Sequence, residues 1–354
     1  MKYSEATHFK QTTSIGFRNT GLGWLSSRCL QTPPHPLACD KCVNVCPVSA
    51  IGFQNTQNGS EVKLTISDDC HGCMQCVPAC PSEAIFSAEI TALTSQQKVH
   101  QTLDLTCHRA ATQKDGWHRL HCLRSLGGDV LAEFGANALP ESVILHIPNS
   151  CHGCNAAPIE SNDDWLANAH LICHLDNVAA QHAYRPPHRS LNRRELLFGR
   201  PAESLPNISF DDKAPKARRL QRQASAAQTL GTHATPRYLN LVLNHDSCLA
   251  HGVCSKVCPT DALIDDGNAL TFNPSACVSC SHCVSACPEK ALTASSGGNG
   301  EIVTLRQSEH ATCHSCGHLF QQRITSNNDS AMLACSACQR EATLMQESFH
   351  DLFH

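Results

Sequence analysis

Cys277-Val-Ser-Cys280-Ser-His-Cys283-Val-Ser-Ala-Cys287-Pro288 places four thiols at the spacing C-x2-C-x2-C-x3-C-P. Thiolates at this spacing hold a 4Fe–4S cluster, with the fourth cysteine serving a neighbouring cluster when two motifs are paired. Working outward, Cys70-His-Gly-Cys73-Met-Gln-Cys76-Val-Pro-Ala-Cys80-Pro81 repeats the run in full. Chance does not produce that spacing twice, and both runs read as iron–sulfur motifs.

Two further runs are imperfect. In the third, Cys248, Cys254, Cys258 and Pro259 hold their places, but His251 stands at the second ligand position. Either its imidazole completes the iron site, which would raise the potential relative to an all-thiolate cluster, or the site holds a 3Fe–4S or a labile 4Fe–4S cluster. In the first run Cys39, Cys42, Cys46 and Pro47 are present, with Pro36 where a ligand is missing. Cys29 is the available substitute, because the loop Leu30–Ala38 is long enough to return a thiolate; otherwise it is a free thiol beside three. By the crossing rule one cluster takes Cys29, Cys39, Cys42 and Cys80, and its neighbour takes Cys46, Cys70, Cys73 and Cys76.

The pattern C-P-x-x-A-(I or L) closes all four runs, at Cys46–Ile51, Cys80–Ile85, Cys258–Leu263 and Cys287–Leu292. This is an internal repeat in two pairs. Strand-like stretches at 61–66, 238–243 and 270–272 precede motifs. The proline is expected to open a short helix, where its missing N–H costs nothing. The paired motifs resemble the bacterial-type 4Fe–4S dicluster ferredoxins, or polyferredoxins, and that resemblance implies two ferredoxin-like dicluster modules.

Bulk composition agrees with metal-organised modules. The chain has 354 residues, 24 of them cysteine, with a net charge of −4 and only 5% aromatics. The near-balanced charge argues against a dedicated nucleic-acid binder. No run approaches the ~18 apolar residues of a membrane span, and residues 1–28 contain no apolar signal region. The expected location is cytoplasmic, where so many cysteines bind metal in preference to forming disulfides.

Residues 102–182 differ from the motif regions. Leu103–Cys107, Arg119–Cys122 and Ser142–Ile147 read as strands, while Leu126–Ala136 and Trp165–Ala180 have helical apolar spacing. The alternation suggests a small α/β unit with a parallel sheet. Cys107, Cys122, Cys151 and Cys154 would gather at its carboxyl edge, where such sheets place their ligands. Leu105–Arg109, Leu120–Ala136 and Val143–Cys154 resemble the delta subunit of methyl-viologen-reducing hydrogenases. That resemblance implies a 2Fe–2S cluster; zinc suits four thiolates equally. Cys173, with no partner by spacing, reads as a core residue on a helix.

From Arg185 to Arg237 lie 11 of the 27 Lys and Arg but four acids. This reads as a solvated basic linker or as a docking strip for an acidic redox partner. Within it Ser190–Gly199 resembles a twin-arginine export signal, but no apolar segment follows. Similar sequences head the ferredoxin associated with the periplasmic nitrate reductase system, so Arg193 and Arg194 mark a module start by that resemblance. Beyond the second pair, Cys313-x2-Cys316 and Cys335-x2-Cys338 have zinc-ribbon spacing, two tight turns giving four thiolates to one ion. The second knuckle, Cys-Ser-Ala-Cys-Gln, lacks the usual rubredoxin signature, which favours zinc over iron.

The expected architecture is α+β. A dicluster module covers 1–100, the small α/β cysteine domain 101–184 and the basic linker 185–236. A second dicluster module covers 237–297, and a zinc-ribbon-like β hairpin domain covers 298–354. No nucleotide loop, nucleophile triad or carboxylate pair has usable spacing, so no enzyme site is expected. The whole resembles ferredoxin-type proteins found beside formate dehydrogenase and nitrate reductase systems. The implied function is electron relay to or from a cytoplasmic oxidoreductase partner. The alternative is an iron–sulfur accessory or maturation factor for a molybdenum or tungsten oxidoreductase, and a third reading is a component of a hydrogenase-like complex.

Overall fold

The computed structural model describes residues 14–16, 21–33, 35, 37–55, 62–96, 102–137, 142–157, 165, 169, 172–181, 214–231, 236–323 and 333–351. The chain divides into two compact units, Met1–Pro236 and Arg237–His354.

The first unit opens with β1 (Ser14–Gly16) and β2 (Leu22–Leu25), followed by the single-turn helix α1 (Lys41–Asn44). The strands β3 (Ile51–Asn55) and β4 (Val62–Ile66) then form an antiparallel hairpin. The short α2 (Cys76–Ala79) leads to β5 (Ile85–Ser87), which pairs antiparallel with β2, and to α3 (Ala88–Gln96). Leu22, Trp24, Ile51, Leu64 and Ile85 bury their side chains among the cysteines. The thiols and the apolar residues thus share one core.

Next come β6 (Leu103–Cys107), β7 (His118–Leu120), α4 (Gly128–Asn137), β8 (Val143–Pro148) and β9 (His174–Val178). The four strands form a parallel sheet in the order β7-β6-β8-β9. Alternation along β6 and β8 sends Leu103, Leu105, Val143 and Leu145 to the face that meets Leu126, Leu131 and Phe134. Each of these fully buried side chains contributes about 1.5–3 kcal/mol. The helical reading of 165–180 is corrected at its end. His174–Val178 is an edge strand, and its polar, exposed HLDNV sequence gave no apolar alternation to reveal it. Cys173 is buried in this core, in a bend directly ahead of β9.

The basic stretch also departs from expectation. Residues 182–213 lie outside the described residues, including Arg193 and Arg194. Arg218–Leu230, expected in a solvated linker, instead forms the 13-residue helix α5, which packs on α4. Its contact face runs at helical spacing through Arg219, Arg222, Ala226 and Leu230. Ala226 and Leu230 meet Ala132, Ala136 and Ile172. Arg219 and Arg222 converge on the buried Asp129 at 3.1 and 2.5 Å, and Arg222 also pairs with Glu83. Arg219 Nη2 further donates to the Val77 carbonyl at 2.6 Å, and its Nε to that of Cys80 at 3.3 Å. Two of the charges that resembled a linker, Arg219 and Arg222, form a docking face. Single-sequence composition hid this because the partner acids are remote in sequence.

The second unit repeats the plan of the first module. The strand β10 (Tyr238–Leu243) is followed by the short helix α6 (Val253–Lys256). An antiparallel hairpin of β11 (Leu263–Asp265) and β12 (Ala269–Phe272) comes next. The short α7 (His282–Ser285) then leads to β13 (Leu292–Gly298), which pairs with β10. Leu241, Leu243, Leu263, Leu270, Phe272 and Leu292 form its core, with motif cysteines, themselves half-buried, packed against it.

The strand β14 (Val303–Thr312) pairs with β12 along its first half and with β15 (Leu319–Arg323) along its second. The sheet therefore runs in the order β11-β12-β14-β15. An independent domain from 298 onward is not what is seen, because β14 belongs to both regions. The helix α8 (Ser336–Asp351) closes the described chain.

Candidate metal centres

Each C-P-x-x-A repeat folds into the same turn. Ser49, Glu83, Asp261 and Lys290, the fourth residue of each, have φ of 50°, 55°, 51° and 49°. In three copies that left-handed residue aims the following alanine N–H at the repeat's own sulfur. Ala50 N lies 3.2 Å from Cys46 Sγ, Ala84 N 3.2 Å from Cys80 Sγ, and Ala291 N 3.3 Å from Cys287 Sγ. Such N–H···S bonds stabilise sulfur carrying negative charge and tune the potential of a cluster bound to it.

The thiols collect in groups. Cys29 feels Cys80 and Cys39, and Cys42 feels Cys80, Cys29 and Cys39. Cys76 feels Cys73, Cys42, Cys70 and Cys46. Cys46, Cys70, Cys73 and Cys76 also line one cavity together. In the second unit Cys248, His251, Cys254 and Cys287 line a cavity, while Cys277 and Cys283 each feel Cys280 and Cys258. The fourth cysteine of each motif thus falls with the partner motif's residues.

Burial pushes the Cys29 thiol up to about 11, Cys42 to about 12 and Cys73 to about 11, with neighbouring thiols adding to it. Cys277 and Cys283 rise for the same reason, to about 11 and about 12. Buried thiols held together in fours are an unfavourable arrangement without a cation. A cationic metal core reverses that cost by taking up the thiolates. The donor set therefore fits iron–sulfur clusters.

His251 stands in an intact frame. Flanking it, Ala250 and Gly252 have φ of 57° and 68°. Their counterparts in the all-cysteine copies are Gly72 and Met74, at 73° and 60°, and Ser279 and Ser281, at 54° and 65°. Substitution at the ligand position has left the wrapping backbone unchanged. His251 Nε2 lies 3.4 Å from Glu289 Oε1 and 3.2 Å from Arg340 Nη2.

Spacing did not reveal Arg306, which is 2% exposed beside this site. It reaches Asp265 at 2.8 Å, Ser308 at 2.7 Å and Cys248 Sγ at 3.7 Å. It lies on β14 outside every motif, and only the sheet register brings it to the cysteines. Gln75 was likewise missed; its buried amide donates to the Ala156 carbonyl at 2.7 Å.

In the middle region Cys107 feels Cys151 and Cys154, and Cys122 feels Cys107, Cys73 and Cys151. The four cysteines at the carboxyl edge of the parallel sheet are brought together, beside the Cys70–Cys80 motif. Arg109 Nη2 donates to the His152 carbonyl at 2.5 Å, which holds the Cys151–Cys154 loop. Burial drives the Cys173 thiol up to about 12 with no cysteine contributing, so it stands apart.

Cys313, Cys316, Cys335 and Cys338 have sulfurs all within 4.8 Å of one another. Cys313 closes β14, but Cys335 and Cys338 lie at the start of α8. The expectation of two matching turn knuckles is corrected for the second pair. Backbone N–H groups of Cys335 and Cys316 lower the Cys313 thiol to about 5, while its neighbours raise Cys338 to about 12. A tetrahedral ion suits this set.

Residues 37–84 and 240–288 each match a 4Fe-4S dicluster domain model. The chain is 43% identical over 51 residues to a ferredoxin of Methanothermococcus thermolithotrophicus, covering 14% of this chain and 78% of that protein. It is also 43% identical over 47 residues to a component of the Na(+)-translocating ferredoxin:NAD(+) oxidoreductase complex of Acetobacterium woodii. That match covers 13% of this chain and 14% of the Acetobacterium protein. The chain belongs to the 4Fe-4S dicluster ferredoxin family, with two modules. These likenesses support an iron–sulfur electron-transfer function. Among the described residues no helix is long and apolar enough to cross a membrane.

Proposed function

We propose that the chain is a multi-cluster relay passing electrons to or from an oxidoreductase partner in the cytoplasm. The sorting of the first module's cysteines into two quartets carries this reading. One cluster is held by Cys29, Cys39, Cys42 and Cys80, and the second by Cys46, Cys70, Cys73 and Cys76. A third takes Cys248, His251, Cys254 and Cys287, and a fourth takes Cys258, Cys277, Cys280 and Cys283. Cys107, Cys122, Cys151 and Cys154 hold a 2Fe–2S cluster, with zinc as the other metal that suits them. Cys313, Cys316, Cys335 and Cys338 hold zinc. The second cluster and the middle cysteines are neighbours through Cys73 and Cys122, which favours transfer between them.

The protein residues hold thiolates, donate N–H groups to sulfur and exclude water; the clusters supply the electron chemistry. A partner of the formate dehydrogenase or nitrate reductase kind follows from the resemblance noted above. The domains would act as two cluster modules, a middle redox domain and a metal-braced C-terminal region.

Iron, sulfide and zinc content of anaerobically purified protein, with EPR of the same sample, tests the reading. About 18 iron atoms and about one zinc are expected. Zinc throughout with little sulfide would remove the relay. Reversible cycling with a partner enzyme at its turnover rate separates a carrier from an assembly factor, which would bind the apo-enzyme and leave the mature form.

A further inference from the structure

Glu289 follows Cys287 by two residues, and one of its carboxylate oxygens faces two nitrogens. Arg340 Nη2 lies 3.0 Å from Glu289 Oε1, and His251 Nε2 lies 3.4 Å from the same oxygen. The guanidinium and the imidazole nitrogen approach to 3.2 Å. A guanidinium nitrogen can only donate, and the carboxylate is the stronger and nearer acceptor for it. The tautomer decides which partner Nε2 takes: with the proton on Nε2 it donates to Glu289, and a neutral ring then keeps its lone pair on Nδ1.

His251 lines the same cavity as Cys248, Cys254 and Cys287. A carboxylate bonded to the outer nitrogen of a histidine is the usual means of fixing the tautomer and orientation of a metal-bound ring. Arg340 lies on α8, two residues past Cys338, and Gln339 N bonds back to the Cys335 carbonyl at 2.9 Å. The brace on Glu289 therefore issues from the four-cysteine site.

We infer that Glu289, braced by Arg340, accepts a hydrogen bond from the Nε2 proton of His251 and so positions the ring to ligate the third cluster through Nδ1. Neither residue touches the cluster; both act through the ring. The inference rests on the reading that position 251 belongs to an iron–sulfur site. It assigns the C-terminal region a role at that site, since an ion held by the four cysteines would anchor the helix that carries Arg340.

The test uses the full chain, anaerobically purified with its clusters, as wild type, His251→Ala, Glu289→Ala, Glu289→Gln and Arg340→Leu. Pulsed EPR of the reduced samples reads nitrogen hyperfine coupling, alongside iron and zinc content. Wild type should show the coupling and His251→Ala should lose it. Glu289→Ala and Arg340→Leu should lose most of it, with iron down by about one atom per chain as the site converts toward 3Fe–4S. Zinc and the fourth cluster's signal should be unchanged in both, which excludes general misfolding. Glu289→Gln, which keeps an acceptor oxygen, should retain part of the coupling. Full wild-type coupling in both Glu289→Ala and Arg340→Leu would overturn the positioning role while leaving histidine ligation standing. A wild type without nitrogen coupling, indistinguishable from His251→Ala, would instead overturn ligation itself, and the positioning role with it.

Discussion

Ala250 and Ser279 stand two residues after the first cysteine of their motifs, with φ of 57° and 54°. A residue with a Cβ is held in that region only where the surroundings demand it. One motif carries His251 next in the chain and the other Cys280, so the backbone accepts either ligand. His251→Cys should therefore complete a four-thiolate site without rebuilding the loop. The midpoint potential of the third cluster should fall, because thiolate stabilises the oxidised form more than imidazole does. EPR-monitored potentiometry reads the shift; an unchanged or higher potential would count against histidine as a ligand of this cluster.

Cys29 and Cys173 are both buried thiols, but only Cys29 lies among other cysteines. Cys29→Ser should lower iron by about one atom per chain and yield a 3Fe–4S signal from the first module. Cys173→Ser should leave iron content alone and cost about 1–3 kcal/mol for placing a hydroxyl in an apolar core. Metal analysis and chemical denaturation separate the two.

Asp129 joins the middle region to α5. Burial alone would push its carboxyl up, but Arg219 and Arg222 hold it below the usual carboxylate range. Its folded pKa lies beneath the unfolded value of about 4. The stabilisation is thus complete above that value and is lost as pH falls through the depressed folded value. Asp129→Asn should destabilise the first unit by about 1–3 kcal/mol at pH 7 and flatten its acid denaturation profile. Thermal melts from pH 7 to pH 3 check both expectations.

Gly135 on α4 has Ile172 Cγ2 and Leu230 Cδ1 where a side chain would go, 2.8 and 3.3 Å from an ideal Cβ. Gly135→Ala gains helix propensity of up to about 1 kcal/mol but must displace those neighbours. A net loss of about 1–2 kcal/mol is expected, with faster hydrogen exchange in α5 than in β6 or β8. Unchanged exchange in α5 would mean that the two helices do not depend on each other.

Chelation of the ion proposed at Cys313, Cys316, Cys335 and Cys338 should raise exchange in β15 and α8. β10 and β13, on a separate sheet, should stay protected. Hydrogen-exchange mass spectrometry before and after chelator resolves these segments.

The cysteine motifs were legible because their function demands fixed spacing within a short loop, where chain geometry alone decides the outcome. β6, β8, β10 and α4 were legible for a related reason, since their apolar periodicity is local. What escaped was built from pairs remote in sequence. Arg222 meets Asp129 and Glu83, Arg306 meets Cys248, and Arg340 meets Glu289. Before folding, each of these arginines reads only as surface charge. The strand β9 escaped because an edge strand with polar residues needs no apolar alternation.

Cys46 and Cys80 each fall with the thiols of the opposite motif. Neither binding site can then be finished from one motif alone, and the first also draws on a thiol as early as Cys29. During synthesis the second site cannot close before Cys76 has emerged, nor the first before Cys80. Both sites of the first module should accordingly be completed late and within a few residues of each other.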